Sequence, residues 1–174
     1  QDIIASGRGF AWSRRGPGQG EWTEIIRYRG AEGANSAPVF QGLGAALQPG
    51  QMLVSARREG EDTSGLYIYD TSTGQYVETV QTNPEFDVFN AALDRESSTI
   101  LAACWLAHRV VCEPKNQDFG RHWRAITAAL GDNVNVSLVG RGGPSNSRWL
   151  IFTSGPRDLG TYALYDTETH ALNT

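Results

Sequence analysis

Three features of the sequence predict an all-β fold built from repeated antiparallel sheets. The first is a strand-and-turn unit over residues 65–76, G-L-Y-I-Y-D-T-S-T-G-Q-Y, which returns over residues 160–172 as G-T-Y-A-L-Y-D-T-E-T-H-A-L. The second is the period of that unit. Asp70 and Asp166 lie 166 − 70 = 96 residues apart, and a strand-like stretch precedes each unit at nearly the same offset (M-L-V-S at 52–55, W-L-I-F at 149–152). The third is composition: 20 Gly and 10% aromatic residues, including five Trp, suit many short strands joined by tight turns. Half of 96 is 48, about one four-stranded propeller blade, so one more blade is expected between the two units. The predicted architecture is a partial β-propeller of about three to four four-stranded antiparallel blades, with one inserted helix near residues 118–130. The expected blades are 38–82, 86–130 and 133–174, with a partial one at 1–30, all in a single truncated domain of 174 residues.

The chain supports this element by element. Residues 9–13 (G-F-A-W-S) and 22–28 (W-T-E-I-I-R-Y) read as strands around a Gly- and Pro-punctuated turn at 14–20. Residues 30–37 form a loop of small and polar residues. Residues 40–47, rich in Gly and Ala, fit an inner strand beside a crowded channel. Pro49-Gly50 turns the chain into a second strand at 52–56. A charged loop follows at 57–64, then a third strand at 66–69. Leu66, Tyr67, Ile68 and Tyr69 suit a pleated, half-buried surface. Asp70 ends that strand, because its carboxylate accepts backbone N–H groups two residues on. Thr71, Ser72 and Thr73 offer similar, weaker bonds, and Gly74 takes a positive φ at no steric cost. Residues 76–81 supply the outer strand.

Residues 86–93 open the middle blade. Residues 94–98 form a charged turn, with strands at 99–105 and 109–113. Phe119, Trp123, Ile126, Ala129 and Leu130 then fall at helical spacing, with Asp118 as the expected N-cap and Gly131 as the C-cap. This helix is expected where the outer strand would lie, or just after it, with its aromatic stripe in the core. Residues 134–139 alternate apolar and polar and start the last blade. A turn at 140–147 leads to strands at 148–153 and 161–165, and residues 171–173 begin an outer strand.

The charge balance argues against two classes of partner. The net charge is −4 and the pI about 5.3, with acids and bases interspersed. Arg14, Arg15, Arg57 and Arg58 make only short clusters, so no basic face for nucleic acid is expected. No apolar run approaches the ~20 residues that span a bilayer. The sequence starts without Met or a signal pattern and stops as a strand begins, so a processed or truncated product is expected. Cys104 and Cys112 would face each other across a hairpin about residues 107–109. A disulfide there requires the right pair geometry, and two buried free thiols are the simpler expectation. The C-x₇-C spacing without partner ligands is no zinc signature.

No catalytic, cofactor or metal set emerges. There is no G-x-S-x-G nucleophile elbow; Gly143-Pro144-Ser145 is the nearest approach and lacks the strand-turn-helix setting. His108 falls in a hairpin turn, His122 on the helix and His170 in the final turn, each simplest as a surface or packing residue. Nothing in the pattern brings a Ser to one of them. Gly16-Pro17-Gly18-Gln19-Gly20 lacks the Lys-Ser/Thr and helix of a phosphate loop. Glu59, Glu61 and Asp62 lack EF-hand spacing and read as a solvated loop tip. Asp70 and Asp166 read as turn makers.

Residues 40–93 (F-Q-G-L-G…L-V-S-A-R…L-Y-I-Y-D-T-S-T-G…V-E-T-V…N-P-E-F-D-V…L-D) resemble the N-terminal β-propeller of bacterial prolyl oligopeptidase family serine peptidases, of the dipeptidyl or acylaminoacyl peptidase type. Residues 99–172 extend the likeness. They contain a strand, Glu113-Pro114 where the family has aspartate-proline, a helix, V-S-L-V-G-R, and F-T-S-G-P-R-D-L-G-T-Y-A-L-Y-D. The resemblance implies that the propeller caps a separate α/β-hydrolase domain, C-terminal to it, that holds the nucleophile, acid and base. The propeller would narrow access so that only short peptides or unfolded ends enter. No cofactor is implied. A periplasmic or secreted home is implied by the family's habits and fits the low Lys count, with the cytoplasm as the alternative. Two other readings compete. One is an interaction scaffold that closes its ring by self-association through open blade edges, although Tyr-Asp stands where such scaffolds carry Trp-Asp. The other is a sandwich or jelly roll, against which the helix and the 48-residue half-period argue.

Overall fold

The computed structural model describes residues 2–3, 9–15, 20–29, 40–46, 48–94, 96–142 and 144–173. The chain forms two compact units, Gln1–Glu85 and Phe86–Thr174. It is mostly β, in four separate antiparallel sheets that follow one another in chain order, and none of them closes on itself among the described residues.

The first unit holds β1 (Asp2–Ile3), β2 (Gly9–Arg14) and β3 (Thr23–Arg29) in one sheet. Its second sheet is the meander β4 (Phe40–Ala45), β5 (Gln51–Ala56), β6 (Gly65–Asp70) and β7 (Gln75–Gln81). Side chains alternate across a strand, so β5 and β6 send Met52, Val54, Ala56, Tyr67 and Tyr69 to one face. That face packs on Trp12, Ile25 and Ile26 of the first sheet. Within β4–β7 aromatic rings meet edge to face: Phe40 and Tyr69 centroids are 5.1 Å apart, and those of Tyr69 and Tyr76 are 5.2 Å apart. The expectation of a half-buried surface for β6 is corrected. Leu66, Tyr67, Ile68 and Tyr69 are all buried, so both faces of this strand are covered.

The second unit begins with a three-stranded sheet of β8 (Val88–Asp94), β9 (Thr99–Leu106) and β10 (Val110–Pro114). The helix α1 (Gln117–Leu130) follows in place of a fourth strand. The last sheet is the meander β11 (Asn135–Gly142), β12 (Arg148–Gly155), β13 (Asp158–Asp166) and β14 (Leu172–Asn173). The expected turn at 140–147 is shorter than the sequence suggested. A bulge between Leu138 and Gly140 lets β11 continue to Gly142, and a single 3₁₀ turn, Pro144–Asn146, makes the connection.

Helix α1 starts two residues earlier than Asp118 implied. Asn116 is the cap: its side-chain oxygen accepts the Phe119 amide at 2.9 Å, while Asp118 lies inside the first turn and pairs with Arg121 at 2.7 Å. Gly131 ends the helix as expected, its N–H reaching the Thr127 carbonyl at 3.0 Å. The helix lies tight over the end of β10, since a Cβ on Gly120 would meet Pro114 Cβ at 3.1 Å. Its apolar stripe is wedged between two sheets rather than laid along an edge. Phe119, Trp123 and Ile126 join Leu101 and Ala102 of β9 with Val136, Trp149, Ile151 and Tyr165 of the last sheet.

Cys104 and Cys112 are a directly opposed pair on β9 and β10 and form a disulfide, with Cα atoms 4.1 Å apart. The expectation of free thiols is thereby corrected. The hairpin about 107–109 sets two facing residues at the close spacing of a non-hydrogen-bonded antiparallel pair. No helix among the described residues is long and apolar enough to cross a membrane.

Two stability outcomes follow. Asn116→Ala is expected to cost about 1 kcal/mol in urea unfolding, and Asp118→Ala less than about 0.5 kcal/mol, because only the former accepts an orphan amide. Cys104→Ser with Cys112→Ser is expected to cost roughly 2–3 kcal/mol, the loop-closure value for so short a loop; an unchanged midpoint would remove the disulfide from the stability of the hairpin.

Candidate functional site

The concave polar feature of the second unit is a cavity of about 260 Å³ where the ends of β8, β11 and α1 meet the 3₁₀ turn. Asp94, Asn116, Asp118, His122, Arg141 and Ser145 line it, over a floor that includes Phe119 and Trp149. Asp94 arrives at the end of β8, where its Oδ1 accepts the amides of Glu96 at 3.1 Å and Ser97 at 3.4 Å. Its other oxygen accepts Arg141 Nη1 at 3.2 Å. Burial alone would raise the Asp94 pKa, but those amides and the guanidinium outweigh it and hold the carboxyl below its ordinary value. Arg141 also lies over the Trp149 ring, 5.3 Å from its centroid. Trp149 in turn donates its indole N–H to the Asn146 carbonyl at 3.1 Å.

A second polar chain runs beside this pair. Tyr165 Oη sits between His122 Nδ1 at 3.0 Å and His170 Nδ1 at 2.9 Å. The two imidazoles are stacked, with centroids 5.3 Å apart. One phenol has one proton to donate, so with Tyr165 neutral and donating to one ring, the other ring donates to it. Burial pushes the His122 pKa below its ordinary value of 6.5, and the neighbouring His170, Arg121 and Arg141 push the same way against Asp118. Burial, with Asp166 nearby, raises that of Tyr165.

The sequence-derived candidates fall as follows. His108 is exposed in its hairpin turn. The fold joins His122 and His170 through Tyr165, although 170 − 122 = 48 residues separate them. Ser145 does share the cavity with His122, contrary to expectation. It lies in the 3₁₀ turn between two strands at φ 51°, and His122 Nδ1 is engaged by Tyr165 instead. Gly143, the first residue of that tripeptide, lies outside the described residues, as do residues 16–19 of the Gly-rich turn. Of the acidic loop, Glu59 and Asp62 are exposed, but Glu61 is part-buried. Its carboxylate accepts Tyr67 Oη at 2.7 Å and Arg58 Nε at 2.9 Å. Burial and the adjacent Glu61 push the Tyr67 pKa up to about 12. A carboxylate so engaged is a structural anchor, not a solvated tip. Arg14 donates to Thr71 Oγ1 at 3.0 Å, and Arg15 lies over Trp22 at 5.0 Å.

Among the described residues, no group of three or more His, Cys, Asp or Glu is arranged to hold a metal ion. The cavity offers hydrogen-bond donors and acceptors, one ion pair and a desolvated imidazole. That equipment suits binding of a polar group. No protein-family model, curated protein or solved structure matches this chain.

The histidine chain predicts an acid-sensitive unit. A folded-state pKa below 6.5 means that the unfolded chain binds the proton more readily, so the His122 contribution is full above pH 6.5 and is lost as pH falls toward the lower folded value. Unfolding measured from pH 7 to 5 is expected to show falling stability, with a shallower slope in His122→Gln. Equal slopes would exclude His122 as the source.

Proposed function

We propose that this chain is a run of β-propeller blades that serves as the non-catalytic part of a larger serine peptidase of the prolyl oligopeptidase type. There it restricts access of peptides to a separate α/β-hydrolase domain. The observation that carries this reading is the internal repeat in three dimensions. In the second and the last sheet an Asp ends the third strand and accepts two amides ahead of it: Ser72 and Thr73 at 2.7 and 3.1 Å for Asp70, Glu168 and Thr169 both at 2.9 Å for Asp166. In both, the next residue reaches back to the carbonyl that precedes the second strand, Thr71 to Gly50 at 2.9 Å and Thr167 to Ser147 at 2.8 Å. Two meanders built alike, about two blade lengths apart with one sheet between, support consecutive blades. The family assignment draws on the resemblance over residues 40–93 and 99–172. In the cavity, Asp94 and Arg141 are paired with one another. The Cys104–Cys112 disulfide favours an oxidising compartment, in line with a periplasmic or secreted home.

The test is the size of the native product in its source cells, followed by an active-site fluorophosphonate probe. The expected product is several times heavier than 19.0 kDa and is labelled, while the 174-residue chain alone is not. A native product of 19.0 kDa, or a heavier folded product that resists the probe, ends the peptidase reading.

A further inference from the structure

His122, Tyr165 and His170 reach one point from three parts of the second unit: α1, the end of β13, and the link between β13 and β14. His122 Nδ1 lies 3.0 Å from Tyr165 Oη, and His170 Nδ1 lies 2.9 Å from the same oxygen. The two imidazole centroids are 5.3 Å apart. Each ring therefore directs its Nδ1 at the phenol oxygen, and three atoms that can each bind a metal ion share one small volume.

The spacing is close to that of a metal site. A tetrahedral ion with bonds of about 2.0–2.1 Å sets its ligand atoms roughly 3.3 Å apart and two ligating imidazole centroids roughly 5.2 Å apart. The separations in the chain fall within a few tenths of an ångström of both values. A second observation concerns the backbone. His170 holds φ 57° at the turn position that Gly74 fills, at φ 72°, in the repeated unit. The imidazole is thus presented to Tyr165 from a left-handed conformation that glycine adopts more easily. The surroundings carry both signs: Asp118 acts on His122 and Asp166 on Tyr165 in favour of a cation, with Arg121 and Arg141 opposing on the His122 side.

We propose that His122 Nδ1, His170 Nδ1 and Tyr165 Oη bind a divalent first-row metal ion of the zinc class, with water in the fourth position. Imidazole nitrogen with one anionic oxygen is a donor set that zinc takes, and three protein ligands leave a place for water. The third protein ligand is a phenol, not a carboxylate or thiolate. As its oxygen–metal bond forms, the O–H bond breaks and the proton passes to solvent. The ring that donated through Nδ1 carries its proton on Nε2 instead, so one proton is released per ion. The bound ion would staple α1 to the last turn of the sheet. This site lies beyond the proposed function and does not rest on it.

Zn²⁺ alone, titrated into the 174-residue chain by calorimetry at neutral pH, tests the site, with Co²⁺ as the visible probe of coordination. The expected result is one ion per chain, a micromolar dissociation constant and the absorption of four-coordinate Co²⁺. His170→Gly removes one ligand while easing the backbone, so it is expected to stay folded and to bind Zn²⁺ at least tenfold more weakly. His122→Gln is expected to show a loss of the same size from the other side of the site. His108→Gln, in the exposed hairpin turn, is expected to bind as the unaltered chain does. Absence of Zn²⁺ binding by the folded chain, undiminished affinity in His170→Gly or His122→Gln, or an equal loss in His108→Gln would each overturn the proposal.

Discussion

Among the described residues, a carboxylate that accepts two backbone amides ends a strand in three of the four sheets and fixes the turn that follows it. Asp70, Asp94 and Asp166 each bind amides two and three residues ahead through Oδ1. Four residues after each of them the chain turns through positive φ, at Gly74 (72°), Ser98 (53°) and His170 (57°). Glycine meets that requirement without cost; Ser98 and His170 meet it at the strain of a left-handed non-glycine residue. Side chains alternate with a period of two, so a slip of one residue would exchange the faces of the strand. The fixed turn places Tyr69 and Tyr165 in the cores and leaves Ile68 and Leu164 on the opposite faces. Hydrogen bonding to the ionised form holds the Asp70 and Asp166 pKa values below normal, so the turns remain in force at neutral pH.

The second unit departs from the pattern and finds another way to bury its core. The sheet β8–β10 has three strands, and α1 supplies the missing apolar surface through Phe119, Trp123 and Ile126. Burial of side chains of this kind contributes roughly 1.5–3 kcal/mol each. The Phe119 ring stacks on both Trp123 and Trp149, at 5.4 and 5.0 Å, so one aromatic column joins the helix to the last sheet. The sheet β8–β10 also carries a covalent cross-strand link, Cys104–Cys112. The chain ties β10 in again where Lys115 and Asn116 both donate to the Leu101 carbonyl, at 2.8 and 3.3 Å.

Polar chemistry in this protein is largely spent on architecture. Asp94 with Arg141 ties β8 to β11, while Glu61 with Arg58 and Tyr67, and Tyr165 with its two imidazoles, tie a loop or a helix to a strand. Their partners are far apart in the chain or sit within loops, and the sequence carries no periodic signal for them. The one legible hint was that His170 occupies the fourth position after Asp166, where Gly74 follows Asp70. A histidine where a glycine is easier is a position whose side chain has a use. That use is the bond to Tyr165, whose hydroxyl also meets His122 from a helix whose rotation only packing sets.

The sequence by itself determined the all-β class, the strand and turn order, the 96-residue repeat and the stop signals at Asp70, Asp166 and Gly131. These depend on residues close in the chain, where alternation, carboxylate capping and glycine torsions act over a few positions. The tertiary structure decided the rest. It placed the helix cap at Asn116, because the tie to Leu101 starts the helix earlier than the Asp118 signal. It set Cys104 opposite Cys112 by strand register, and brought Ser145 and His122 to one cavity without joining them. It also left Leu150 and Leu164 exposed where their counterparts Leu53 and Ile68 are buried. That difference is a property of neighbours, which alternation in a single strand does not encode.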